Sequence, residues 1–191
     1  MNPWQARLAV QSLRRGDLVL HATEGVWGLA CDPWNRHAVQ RLLAVKGRSV
    51  TKGLIVIGAA VECFAPELAR VDDTARTRIE ASWPGAVTWV VPNGRFPEWI
   101  TGGRDSVAVR VPGHPQARAL CHAFGGPLVS SSANRARRPP ARRHLQARAL
   151  LARLGSGAHR NHVYLLPGET LGRRGPSEIR TPAGARSRVV E

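Results

Sequence analysis

Apolar positions along this 191-residue chain switch between a helical period and a strand period. Residues 4–15 repeat at helical spacing, with Trp4, Leu8, Val10 and Leu13 on an inner side. Arg14 and Arg15 suit the negative end of that helix, and Gly16 stops it. A strand follows at 17–22, then a helix at 36–46 that sets Val39, Leu42, Leu43 and Lys46 at helical spacing. GLIVIG at 53–58 reads as a strand, and 72–82 as a helix capped by Asp72 and Asp73. The β-branched runs AVTWVVP at 86–92 and SVAVRVP at 106–112 predict two more strands. A helix at 115–124, a strand at 127–133, a helix at 142–153 and strands at 162–166 and 176–180 complete the pattern. Interleaved elements of this kind predict the α/β class: a twisted mixed sheet with flanking helices. No repeat or composition break divides the chain, so 1–191 is read as one domain.

Composition narrows the setting. The N-terminus lacks the long apolar core of a signal peptide, and no apolar run has membrane-spanning length. Cys31, Cys63 and Cys121 are scattered and odd in number, which predicts neither a disulfide framework nor a zinc site and favours the cytoplasm. The formal net charge is +15, and between Asp105 and Glu169 lie ten arginines and no acidic residue. Such a field attracts polyanions, RNA among them. Of the 28 basic residues only two are lysines, and both fall within KGRSVTK, as Lys46 and Lys52. In a chain that otherwise uses arginine, this marks a place suited to a compact point charge.

The candidate chemistry lies at strand ends. The first strand runs into Thr23-Glu24, and Trp27 stands between Gly25 and Gly28. Arg110 sits inside an apolar strand, where it must meet either an internal carboxylate such as Glu24 or an anionic ligand. Ser130-Ser131-Ser132-Ala133-Asn134 offers hydroxyls and an amide for a phosphate or small ligand, or for a turn. The standard phosphate-loop and dinucleotide glycine motifs are absent, as is the serine nucleophile elbow.

Together these segments resemble the YrdC/TsaC family over nearly the whole chain. HATEGVWGLACD is similar to the family's P-T-E-x-V-[YF]-G turn, and LLAVKGRSVTKGLIVI to its K-x-R segment. SWPGAVTWVVP, SVAVRVPGHP, PLVSSSAN and PGETLGRRGPSEIR resemble its W-P-G, A-V-R, S-A-N and C-terminal motifs, in the family's order. Differences stand at His21-Ala22 for Tyr-Pro, at Trp27 for Tyr or Phe, at Arg135–Arg138 after S-A-N, and at Thr181. The resemblance implies a concave basic cavity and the synthesis of threonylcarbamoyl-AMP from L-threonine, bicarbonate and ATP. Magnesium would arrive with the triphosphate. It implies Lys46 and Arg48 as the catalytic cations. ATP would be held by these with Ser132, Asn134, Arg142 and Arg188, and threonine by Thr23, Arg110, Ser132 and Ser177. No covalent nucleophile or resident metal is implied. The product would serve N6-threonylcarbamoyladenosine formation at tRNA position 37, with separate transfer proteins (TsaB/TsaD/TsaE-like) as partners. Two rivals remain: a non-catalytic RNA-binding protein of the same fold, and a carbamoyl-transfer domain of the hydrogenase-maturation type, whose extra modules this short chain lacks.

Overall fold

The computed structural model describes residues 1–135, 138–154 and 162–183. Helices α1 (Pro3–Arg14), α2 (Arg36–Lys46), α3 (Ala65–Leu68), α4 (Asp73–Ala81), α5 (Glu98–Thr101), α6 (Pro115–Phe124) and α7 (His144–Leu154) flank one sheet. Its strands are β1 (Leu18–Ala22), β2 (Trp27–Cys31), β3 (Ile55–Ile57), β4 (Val87–Pro92), β5 (Ser106–Arg110), β6 (Leu128–Ser132), β7 (Val163–Leu165) and β8 (Glu178–Arg180). Their order is β7-β1-β2-β6-β3-β5-β4-β8. Three of the pairings are parallel: β1 with β7, β3 with β5, and β4 with β8. The other four are antiparallel, so the sheet is mixed as the pattern predicted.

Caps fix the helices where the sequence signals them. Asn2 accepts from the Gln5 amide at 2.8 Å while the Gln5 side chain accepts from the Asn2 amide at 3.1 Å, a reciprocal capping box. Asn35 caps α2 and Asp72 caps α4. Gly47, at φ +59°, ends α2 in the left-handed region that disfavours a side chain.

Strand β2 is the element the pattern missed. Its five residues alternate Trp27, Leu29 and Cys31 with Gly28 and Ala30, so one face carries almost no side chain and few β-branched residues signal a strand. The one-turn helices α3 and α5 and the 3-10 turns Val50–Lys52 and Val61–Phe64 are too short to show a period. The strand predicted at 106–112 ends at Arg110, because the Val111 carbonyl leaves the ladder to accept from the Gly85 amide at 2.9 Å.

Alternation along the strands divides the core. Leu18, Leu20, Trp27, Leu29, Val56, Val109 and Val129 face one side and are buried with Leu42 of α2, Ile79 of α4, Ile100 of α5 and Ala147 of α7. Full burial of each leucine or isoleucine contributes about 1.5–3 kcal/mol. Val19, Ala30, Ile57 and Leu128 face the other side, against Ala9 and Leu13 of α1 and Ala117 and Leu120 of α6. Two helices cannot cover that whole face. The rows continue past them into Gly28, Ile55, Ser130 and Ser132, and these line an open hollow.

Candidate functional site

The hollow has a volume of about 960 Å³. Its floor is the uncovered sheet face; its walls are the Thr23–Val26 turn, the turn around Ala86 and the loop Arg173–Ser177. Thr23, Arg48, Arg110, Ser132 and Ser177 all line it.

The Thr23–Val26 turn closes on itself. The Thr23 amide and hydroxyl both donate to the Val26 carbonyl, at 3.0 and 2.7 Å. Trp27 then points into the fully covered core, stacked on His144 with centroids 5.6 Å apart, and Gly28 faces the hollow. Both neighbouring glycines are sterically required. A Cβ on Gly25 would stand 2.2 Å from the Gly175 carbonyl oxygen, and one on Gly28 would stand 2.9 Å from Ser130 Oγ. The Arg173 amide donates to the Glu24 carbonyl at 3.0 Å, which fastens the C-terminal loop across the turn.

Arg110 resolves in favour of the internal carboxylate while still lining the hollow. Its guanidinium pairs with Glu24 Oε1, and its Nε donates to the Gly85 carbonyl at 2.8 Å. Glu24 Oε1 also accepts from the Gly113 amide at 2.6 Å. Burial by itself would raise the Glu24 pKa, but the charge and hydrogen bond of Arg110 outweigh it and hold the carboxyl below its ordinary value.

Lys46 approaches from beneath. Its Nζ donates to the carbonyls of Ser132 and Asn134 (3.1 Å for the latter) and to Asn134 Oδ1 at 3.2 Å. Ser132 Oγ donates to Asn134 Oδ1 at 2.7 Å, and Asn134 Nδ2 to the Arg138 carbonyl at 2.6 Å. The ammonium therefore organises the Ser132–Asn134 turn. Burial, with a smaller contribution from the Arg48 charge, pulls its pKa down to about 8, so it remains charged at neutral pH. Arg48 reaches the hollow itself and donates to the Gly53 carbonyl at 3.1 Å. Ser177 is hydrogen-bonded to Thr88 Oγ1 at 2.8 Å, which ties the start of β8 to β4.

Of the remaining sequence candidates, Arg142 lies exposed just before α7, outside the lining of the hollow, and its backbone amide donates to Gln146 Oε1 at 2.8 Å. Arg188 lies outside the described residues. The sequence offered Ser130 only as part of the run 130–134, without a role of its own, and did not single out the pair Arg173-Arg174; all three line the hollow. Ser130 shares the face of Ser132 by strand alternation, and the arginine pair stands three residues before Ser177; those were the available signals.

His21 lies fully buried beside Gly28. The Ala22 carbonyl can only accept, which places the ring proton on Nδ1 at 3.2 Å and leaves Nε2 to accept from the Ser130 hydroxyl at 3.1 Å. Burial lowers its pKa to about 4 from an ordinary 6.5. A depressed histidine pKa contributes stability that is fully present above about pH 6.5 and is lost as pH falls toward 4. The shift corresponds to at most about 3 kcal/mol. Urea unfolding across pH 4–7 should show this loss, and His21→Gln should flatten the profile relative to wild type.

The site is thus a hollow on the open face of a mixed sheet in an α/β protein, walled by two turns and a loop and faced by guanidinium groups and serine hydroxyls, groups whose chemistry suits small anions. The family model described as telomere recombination (Sua5/YciO/YrdC) matches residues 11–190. The chain belongs to this Sua5/YciO/YrdC family. It is 46% identical to the threonylcarbamoyl-AMP synthase of Nitrosococcus oceani over 93% of this chain and 92% of that one. It is 45% identical to that of Pseudomonas aeruginosa over 94% of each. Among solved structures, Pyrococcus abyssi Sua5 complexed with L-threonine superposes with a TM-score of 0.83 at 28% identity, over 95% of this chain. The chain spans 52% of that protein. Escherichia coli YciO, at 19% identity and TM-score 0.75, shares the fold.

Proposed function

We infer that the protein is an L-threonylcarbamoyladenylate synthase, which joins L-threonine, bicarbonate and ATP into threonylcarbamoyl-AMP and pyrophosphate. One observation carries the reading: Thr23, Arg48, Arg110, Ser132 and Ser177, from five separate segments, line one hollow, and Lys46 props the Ser132–Asn134 turn at its edge.

The threonine amine attacks the carbon of bicarbonate, and water leaves to give a carbamate. A carbamate oxygen then attacks the α-phosphorus of ATP, and the bond to the β-phosphate bridging oxygen breaks to release pyrophosphate. Every reactant in the second step is anionic, so the barrier is dominated by bringing like charges together. In this reading Arg48 neutralises the phosphates, and Lys46 holds the Ser132 and Asn134 groups on the nucleotide. Thr23, Arg110 and Ser177, with Ser132, hold threonine. Arg142 and Arg188 are assigned to ATP on the family resemblance alone. Glu24 is committed to Arg110 and Glu178 to Arg180, so magnesium enters with the triphosphate rather than on a protein carboxylate.

The reading places the chain as one domain in the cytoplasm, supplying its product to separate threonylcarbamoyl-transfer proteins for tRNA position 37. Among the described residues no helix is long and apolar enough to cross a membrane. The +15 charge favours contact with tRNA and sustains the alternative, a non-catalytic RNA-binding protein of this fold. One assay separates them. Purified protein given ATP, bicarbonate and L-threonine should release pyrophosphate, and omitting threonine or bicarbonate should stop it. Salt-dependent tRNA binding without threonine-dependent turnover would establish the alternative instead.

A further inference from the structure

Among the described residues four arginines line the hollow: Arg48, Arg110, Arg173 and Arg174. Three are engaged with the protein. Arg48 donates to the Gly53 carbonyl. Arg110 is paired with Glu24. Arg173 turns its guanidinium back onto the Pro176 and Gly175 carbonyls of its own loop. Among the described residues, no hydrogen bond or ion pair holds the guanidinium of Arg174. Its loop is nevertheless anchored on both sides, by the Arg173 amide on the Glu24 carbonyl and by the Ser177 hydroxyl on that of Thr88.

The charges of the hollow point the same way. Among the described residues, Glu24 and Glu178 are its only acidic lining residues; the first is cancelled by Arg110 and the second is paired with Arg180 at 2.8 Å. The hollow thus keeps a positive surplus that a zwitterionic amino acid and a bicarbonate do not match. A polyphosphate does. A side chain that breaks no existing bond on engaging its ligand loses none of its gain to rearrangement.

We propose that Arg174 is a substrate-contacting residue of this site, the cation that meets the β- and γ-phosphates of the nucleotide and then the leaving pyrophosphate. The proposal rests on the synthase reading for its nucleotide, but its test does not depend on turnover. Arg173 serves it as a brace that keeps the loop across the Thr23–Val26 turn.

The test is a calorimetric titration of wild type, Arg174→Ala, Arg174→Gln and Arg174→Lys with inorganic pyrophosphate, ATP and AMP, beside threonine-dependent turnover. Losing a charge-assisted contact should weaken pyrophosphate and ATP binding about tenfold or more in the alanine and glutamine variants. Lysine should restore most of it, AMP affinity and the KM for threonine should move less than about twofold on the same reasoning, and Arg7→Ala on α1 should bind as wild type. Pyrophosphate binding within about twofold of wild type in both neutral variants, or an equal loss for AMP, overturns the proposal. If pyrophosphate binding falls as expected and wild type shows no threonine-dependent turnover, the synthase reading fails and the assignment of Arg174 stands.

Discussion

Lys46→Ala is expected to cut threonine-dependent pyrophosphate release by about 10²–10³-fold, the range for removing one preorganised donor that shapes a charged transition state. The ammonium holds the Ser132 and Asn134 carbonyls and Asn134 Oδ1 together, so its loss releases the turn that presents Ser132 Oγ to the hollow. Leaving part-buried carbonyls without a donor also costs about 1–3 kcal/mol of stability. Lys46→Arg should not rescue turnover, because a planar guanidinium cannot converge on three acceptors as a tetrahedral ammonium does. Steady-state kinetics with a thermal melt and far-ultraviolet circular dichroism check both parts. Near-wild-type turnover in the alanine variant would show that the turn holds its shape without the ammonium.

Glu24→Ala is expected to be the most destabilising single change at the site. It leaves Arg110, a residue only 6% exposed, with the Gly85 carbonyl as the remaining partner of its guanidinium among the described residues. Removing one member of a buried ion pair costs about 3–5 kcal/mol, which for a chain of this size lowers the melting temperature by about 10 °C. Replacing both members, as in Glu24→Met with Arg110→Met, should recover much of that stability, because no unpaired charge is then buried. It should not recover activity, since Arg110 also lines the hollow. The pH dependence has a definite sign. Arg110 keeps the Glu24 carboxyl below its ordinary pKa, so the pair's stabilisation is present above the ordinary carboxylate range and is lost as pH falls through the lowered value. Differential scanning calorimetry of the three proteins across acid pH reads both effects.

These two residues also show how far a linear reading goes. Arg110 within an apolar strand had to find an anion, and Glu24 was already one of two candidates. Choosing between them needed the sheet: β5 lies four strands from β1, and only the folded sheet and the turn after β1 bring the two side chains together. Lys46 stood out as one of two lysines among arginines, and the periodicity of α2 put it on the helix's buried side. Its partners lie 86 and 88 residues away, and no local period encodes that distance.

Local physics set much of this protein before any tertiary contact. Periods of two and of 3.6, with caps at Asn35 and Asp72 and stops at Gly16 and Gly47, determine an interleaved α/β chain. The ordered motifs determine the family, since each is a short stretch whose chemistry is carried by its own residues. The tertiary structure alone decided which face of the sheet stays open. Burial is a property of neighbours brought from afar, and α1 and α6 cover only part of one face. It also decided that Lys46 supports the site from behind while the guanidinium of Arg174, at the rim of the hollow, has no protein partner among the described residues, because whether a charge is spent on the protein or left for a ligand depends on acceptors that meet it only after folding.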